Sequence, residues 1–226
     1  MKLARTHLYR LWPAFVLTLG SLLVLPCLFP RSDRSHALAA APASSTAAEP
    51  AISAEAAESA AEKLRRIEEA SGSGTGGFLT EFSENEVNSY LAYQVASRYP
   101  PGLSKVQVRF LPGRILGIAE VDFDKAKSAR PTSGGMTDYL FWGTHTLEAG
   151  GSFSAIDGVG HFDLESVALD GVTLPQTVVD LLIETFLKPR FPRLALDAPF
   201  FLPDSVDRVQ VMRESLVVEV NPPVSD

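Results

Sequence analysis

The feature that most restricts the fold is an alternation of apolar and polar side chains with a period of two residues. A first run covers residues 106–110 and a second covers 115–123, with a Pro112–Gly113 turn between them. Glu120 and Asp122 occupy the face of the second run that is opposite its apolar residues. This pattern is typical of antiparallel strands that have one face on a core and the other in water.

Further strands are predicted in the second half of the chain. A long strand is expected from Tyr139 to Ile156, with a bulge or bend at Gly150–Gly151. Asp157–Gly158 is a two-residue turn of the type I′ kind, which returns the chain through Val159–Leu169. A last hairpin is predicted within residues 206–220.

Two helices with clear boundaries accompany these strands. Ser83 and Glu86 form a capping box at the start of the first helix, which ends at Tyr99 before a Pro-Pro-Gly stretch. The second helix begins at Pro175 and carries a broad apolar face as far as Lys188. The order of these elements predicts an α+β fold, in which a long twisted antiparallel sheet packs on two helices.

The N-terminus has the layout of an export signal. An apolar run of sixteen residues, Ala14–Phe29, follows Lys2, Arg5 and Arg10, and Ala37-Leu38-Ala39 resembles a cleavage site. Extended back to Leu11, the run has nineteen residues, which is close to the ~20 needed to span a bilayer. Residues 1–39 are therefore either a signal peptide or an N-terminal membrane anchor, and both alternatives remain open.

Either alternative places the domain outside the cytoplasm, in the periplasm or at the outer face of the inner membrane of a cell envelope. Pro26 directly before Cys27 argues against a third alternative, a lipoprotein signal. Cys27 is the single cysteine, so a disulfide framework is not expected. The stability of the exported part must then come from a packed core.

A tether is predicted at residues 40–77, ahead of an α+β domain at 78–226. Its first part is rich in Ala, Pro, Ser and Thr, and the Gly-rich run at 71–77 ends it. Between them, residues 53–70 are predicted to form a helix that is largely solvated, because only Leu64 and Ile67 offer large apolar side chains.

Charge and motifs exclude several functions. The whole chain carries −7 and residues 1–40 carry +4, which leaves −11 for the rest and disfavours nucleic acid as a partner. No nucleotide-binding, hydrolase or metalloprotease motif occurs.

The two histidines of the predicted domain are not expected to meet. The strand register set by the Asp157–Gly158 turn places His145 opposite Asp170 and His161 opposite Ser154, so no metal site is expected. We predict no enzyme activity, catalytic residue, metal or cofactor; Asp122 and Asp124 are expected on a solvated face.

Large aromatic side chains are the most conspicuous remaining feature. Phe141 and Trp142 are adjacent, so on a regular strand they point to opposite faces of the sheet. Aromatic residues on both faces require either two covered faces or an exposed apolar patch, and such patches mark contact with a ligand or a membrane. The residues expected to line an apolar ligand site are Phe123, Phe141, Trp142, Phe153, Phe162, Leu182 and Phe186.

Three stretches resemble a known family. The run Phe82–Leu91 resembles the helix opening of exported bacterial proteins with a TULIP-type (tubular lipid-binding) fold, and Leu169–Pro175 is similar to the approach to that family's long helix. Phe200–Pro203 ahead of the last hairpin also fits. The resemblance implies non-enzymatic binding or shuttling of a lipid or other apolar ligand, with the membrane reached through the N-terminal segment. The alternative is an envelope assembly or protein-interaction module without a ligand, whose protein partner the sequence does not name.

Overall fold

The computed structural model of the protein describes residues 51–73, 76–128, 141–188, 199–203 and 205–221. The predicted leader, most of the predicted tether before its helix, and residues 129–140 lie outside the described residues.

Nine strands in the described part of the chain form one antiparallel sheet, which confirms the predicted α+β fold. The strands are β1 (Phe78–Ser83), β2 (Leu103–Leu111), β3 (Arg114–Asp122), β4 (Thr144–Ile156), β5 (Val159–Leu169), β6 (Val172–Thr173), β7 (Phe200–Phe201), β8 (Val206–Val211) and β9 (Ser215–Val220). Their order in the sheet is β1-β9-β8-β4-β3-β2, and β5 lies beside β4 with β6 and β7 next to it.

The predicted turn between β4 and β5 is confirmed. Asp157 and Gly158 both have positive φ, 54° and 73°, as a type I′ turn requires, and Ile156 faces Val159. The predicted bulge is also present, because the register shifts at Gly150–Gly151. The extra residue, Glu165, belongs to β5, since the partners of the two glycines are Ser166 and Leu164.

Two expectations about strands need correction, and two strands were not predicted. The strand predicted from Tyr139 begins instead at Thr144, so Phe141 and Trp142 precede it, and residues 139–140 lie outside the described part. Phe123 does not end a strand, because it begins a short helix, α3 (Phe123–Ser128). The strands β1 and β6 were not predicted; β1 pairs along its whole length with β9, a partner more than one hundred residues away.

The predicted capping-box helix is confirmed as α2 (Glu84–Tyr90), which continues through a π-helical turn to Val95 and a 3₁₀ turn to Arg98. The Ser83 hydroxyl accepts a hydrogen bond from the Glu86 amide, and the Glu86 carboxylate accepts one from the Ser83 amide at 2.8 Å. The helix predicted from Pro175 is α4 (Gln176–Leu182), which continues as a π-helical segment to Leu187.

The helix predicted at 53–70 exists as α1 (Ala54–Ser73), but the expectation that it is largely solvated is wrong. Ala57, Ala60, Ile67 and Ala70 are buried. Together with Leu64 they follow one helical stripe, and the small alanines let α1 and α2 approach closely. Sequence reasoning missed this face because it counted only large apolar side chains as anchors.

Polar contacts of Glu86 and Asn88 attach α2 to its neighbours. Glu86 accepts hydrogen bonds from Lys63 and Ser59 of α1, both at 2.6 Å. Asn88 is fully buried and binds the backbone of Val108 on β2 twice, because its amide donates to the carbonyl at 2.9 Å and its oxygen accepts from the N–H at 2.7 Å. Asn88 thus takes the place of a neighbouring strand at the outer edge of β2.

The core lies on one face of the sheet. Leu147 and Ala149 of β4 pack against α4, whereas Phe153 and Ala155 belong to the larger cluster that includes residues of α1 and α2. All four point to the same face, since they are alternate residues of β4 and the extra residue of the bulge lies in β5. The two clusters are continuous, because Leu164 packs against both.

Candidate functional site

An aromatic cluster lies where α4 packs on α3 and on the segment before β4. Phe123 and Phe141 are each 2% exposed, and their ring centroids are 5.2 Å apart. The ring of Phe186 on α4 lies 5.3 Å from that of Phe123 and 6.0 Å from that of Phe141. Leu182, one turn earlier on the helix, is buried in the same cluster. We call these four residues the aromatic cluster.

Three separate segments bring the aromatic cluster together. Phe123 begins α3, Phe186 lies on the π-helical turn of α4, and Phe141 lies in the short segment before β4. That segment, residues 141–143, is held by backbone contacts, since the Phe123 N–H donates to the Gly143 carbonyl at 2.9 Å. Its position does not follow from any local pattern, so the sequence alone gave no reason to place Phe141 beside Phe123.

The helix over this cluster has no polar attachment to the other elements in the described part of the chain. Its charged and amide side chains pair within the helix: Gln176 with Asp180 at 2.9 Å, and Lys188 with Glu184. Its contacts with the sheet are apolar, through Val179 and other residues of the same face. This contrasts with α2, which is attached by directional hydrogen bonds.

The predicted site residues do not form one group. Phe123, Phe141, Leu182 and Phe186 make up the aromatic cluster, whereas Phe153 and Phe162 lie in the larger cluster. Trp142 is apart from both, with 66% of its surface exposed. Sequence reasoning also missed the half-buried side chains that pack around the aromatic cluster; Leu174, directly before Pro175, had the clearest signal. These residues are Val121, Leu169, Leu174, Val178 and Leu181.

Phe153 and Phe162 face each other directly across β4 and β5. The ring of Phe162 lies over Gly151, where an added Cβ would come within 2.7 Å of it. Phe200 covers Gly160 in the same way, and its ring centroid is 6.2 Å from that of Phe153. The absence of a Cβ at these glycines therefore leaves room for the two rings, and this part of the predicted site is filled by the protein itself.

His145 was expected to be a surface histidine opposite Asp170. The backbone partner of Asp170 is instead Thr146, whose carbonyl accepts from the Asp170 N–H at 2.8 Å, because the bulge shifts the register by one residue. The side chains of His145 and Asp170 nevertheless meet, with 2.6 Å between Nδ1 and Oδ2. The predicted pairing of His161 with Ser154 is confirmed, and His161 is exposed.

Asp122 and Asp124, which were expected on a solvated face, have local structural partners. Asp122 accepts a hydrogen bond from the Lys125 amide at 2.9 Å and pairs with its ammonium group, and these contacts lower the pKa of Asp122. Asp124 accepts from the Gly143 amide at 3.0 Å. Among the described residues, no group of three or more His, Cys, Asp or Glu side chains is placed to hold a metal ion.

In the described ranges, none of the helices is both long enough and apolar enough to cross a membrane. Comparisons of the chain with protein-family models, with curated proteins and with solved structures found no match.

Proposed function

We propose that the exported part of this chain binds an acyl chain or another apolar ligand between α4 and the sheet, without catalysis, in the bacterial cell envelope. The observation that carries the proposal is the way α4 covers the aromatic cluster. In the described part of the chain, only apolar contacts connect it to the sheet.

Apolar contacts are non-directional, so a shifted helix can exchange protein neighbours for ligand neighbours at little net loss of apolar burial. Displacing α2 would instead break its hydrogen bonds and leave the backbone groups of Val108 without partners. The rings of Phe123, Phe141 and Phe186 supply the large, flat apolar surface that an acyl chain requires. Within this arrangement, α4 is the element most easily moved by an apolar ligand.

The test combines native mass spectrometry of the purified full chain, with organic extraction, and titration with a fluorescent acyl probe. Phe186→Ala is expected to weaken retention of the probe while costing little stability, because Phe186 is only half-buried. Leu182→Ala is expected to cost about 2–5 kcal/mol of stability, because a buried leucine is lost.

Phe82→Ala is the matched control. Phe82 is buried in the larger cluster beneath the hydrogen-bonded helices, so its loss is expected to cost about 3–5 kcal/mol and to leave probe affinity unchanged. If the parent chain retains no lipid or probe and Phe186→Ala destabilises it as much as Phe82→Ala does, α4 is ordinary core and the proposal fails.

A second candidate function, a protein-interaction module, is favoured by one feature. Ile156, Val159 and Phe201 lie opposite one another across β4, β5 and β7. Ile156 is 55% exposed and Phe201 is 84% exposed. An exposed apolar row of this kind suits a protein partner, and it lies at a different strand position from the aromatic cluster. Phe201→Ser separates the two functions, because it leaves acyl-probe binding intact and would weaken only a protein contact.

A further inference from the structure

His145 connects three parts of the molecule at the edge of the aromatic cluster. Its Nδ1 lies 2.6 Å from Asp170 Oδ2, and its Nε2 lies 2.6 Å from the carbonyl oxygen of Trp142. The Trp142 carbonyl has no proton to donate, and neither has the Asp170 carboxylate when it is ionised, so both neighbours can only accept a hydrogen bond. A neutral imidazole has a single N–H, so His145 makes both bonds only when it carries the extra proton.

The carbonyl that His145 binds belongs to the segment 141–143, which brings Phe141 into the aromatic cluster. Among the described residues, the other hydrogen bonds of this segment come from α3: Asp124 accepts from the Gly143 amide, the Phe123 amide donates to the Gly143 carbonyl, and Lys127 donates to the Phe141 carbonyl. Within the described part of the chain, the bond from His145 is therefore the hydrogen bond that ties segment 141–143 to β4, which the segment also meets through the backbone at residue 144, and through Asp170 it reaches the turn between β5 and β6.

Charged groups reach this region from each neighbouring element. Asp170 comes from the turn after β5, and its Oδ1 also accepts from the Thr146 amide at 2.8 Å. Asp122 lies at the end of β3, and Lys125 pairs with it. The ring of Phe123 faces the imidazole, with 5.9 Å between centroids. Asp170 is the carboxylate in direct contact, so it dominates the titration of His145.

The pKa values of His145 and Asp170 are shifted in opposite directions, as expected for an ion pair. The hydrogen bond to Asp170, followed by the one to the Trp142 carbonyl, raises the pKa of His145 above its ordinary value of 6.5. The same contact with His145 lowers the pKa of Asp170. The stabilisation from this pair is thus complete below about pH 6.5 and is lost as the pH rises through the raised pKa of His145, while Asp170 remains ionised.

We propose that His145 is a proton-operated latch: the imidazolium holds segment 141–143 against the turn at Asp170 and closes the edge of the aromatic cluster. Loss of its proton leaves one ring nitrogen facing an acceptor, which releases either Trp142 or Asp170. The link from this release to entry of an apolar ligand rests on the function proposed above; the latch itself does not.

The experiment observes Trp142 in the full chain. The chain contains two tryptophans, so Trp12→Phe leaves Trp142 as the only one, and a ¹⁵N-tryptophan label then gives one backbone and one indole signal. Over about pH 5–9 we expect both signals to titrate together with a midpoint above 6.5, the ordinary value for histidine. Asp170→Asn is expected to lower that midpoint, because it removes the adjacent opposite charge.

His145→Gln is expected to abolish the titration, and His161→Gln, at the exposed histidine of β5, is the matched control that leaves it unchanged. Signals that stay flat over the pH range, or that titrate equally in the His145→Gln chain, overturn the latch. A midpoint that is unmoved by Asp170→Asn also overturns it.

Acyl-probe entry is then measured on both sides of the midpoint with the same chains. Faster entry above the midpoint supports control of the site, and equal rates on both sides overturn that control. A chain that titrates as expected but binds no probe at either pH supports the latch and counts against the proposed function.

Discussion

Replacing Asn88 by alanine tests how the outer edge of β2 is completed. In the structure the Asn88 side chain satisfies both the N–H and the carbonyl of Val108, at 2.7 and 2.9 Å. Asn88 is fully buried, and Val108 is 1% exposed. Alanine removes both partners in a place from which water is excluded.

The magnitude follows from the two groups that are left unpaired. A buried polar group without its partner costs about 1–3 kcal/mol, so the loss of two partners predicts about 2–6 kcal/mol of destabilisation. The higher helix propensity of alanine offsets roughly 0.7 kcal/mol of this. The net effect is a large part of the stability of an ordinary domain, which is ~5–15 kcal/mol.

The assay is urea unfolding of the full chain, followed by circular dichroism. Asn85→Ala is the matched control, because Asn85 lies on the same helix and its buried Oδ1 has no hydrogen-bond partner among the residues that the structure describes. We expect the midpoint of Asn88→Ala to fall far below that of the parent, and that of Asn85→Ala to change little. Equal midpoints for the two variants would refute the view that Asn88 completes the edge of β2.

Two further predictions concern α1. A chain that begins at residue 78 is expected to melt at a lower temperature than one that begins at residue 51, because Ile67 would no longer cover the core; equal melting temperatures would support the domain boundary predicted at 78. Partial burial raises the pKa of Glu86, but hydrogen bonds from Lys63 and its other partners outweigh this and lower the pKa below 4.5. The stability that ionised Glu86 contributes should therefore disappear as the pH falls through the lowered value, so the gap in urea midpoint between the parent and Glu86→Gln should close in acid; a gap that does not change with pH would contradict this.

Local signals predicted the elements well, but they did not predict the candidate site as a unit. Of seven expected ligand residues, four meet in the aromatic cluster, two lie in the larger cluster and Trp142 is exposed. Aromatic composition identifies residues that need burial, whereas their grouping depends on which strands pair and where helices dock. The assignment of these residues to ligand binding stays a prediction.

The sequence by itself determined features whose causes lie within a few residues. The Asp157–Gly158 turn, the capping box at Ser83 and the one-faced alternation of the strands depend on local backbone preferences and on nearby hydrogen bonds. The tertiary structure alone decided the pairing of β1 with β9 and the meeting of Phe141 with Phe123 and Phe186. The physical reason is that a period of two residues shows which side chains share a face, but partners far apart in the chain are selected only by packing the whole core.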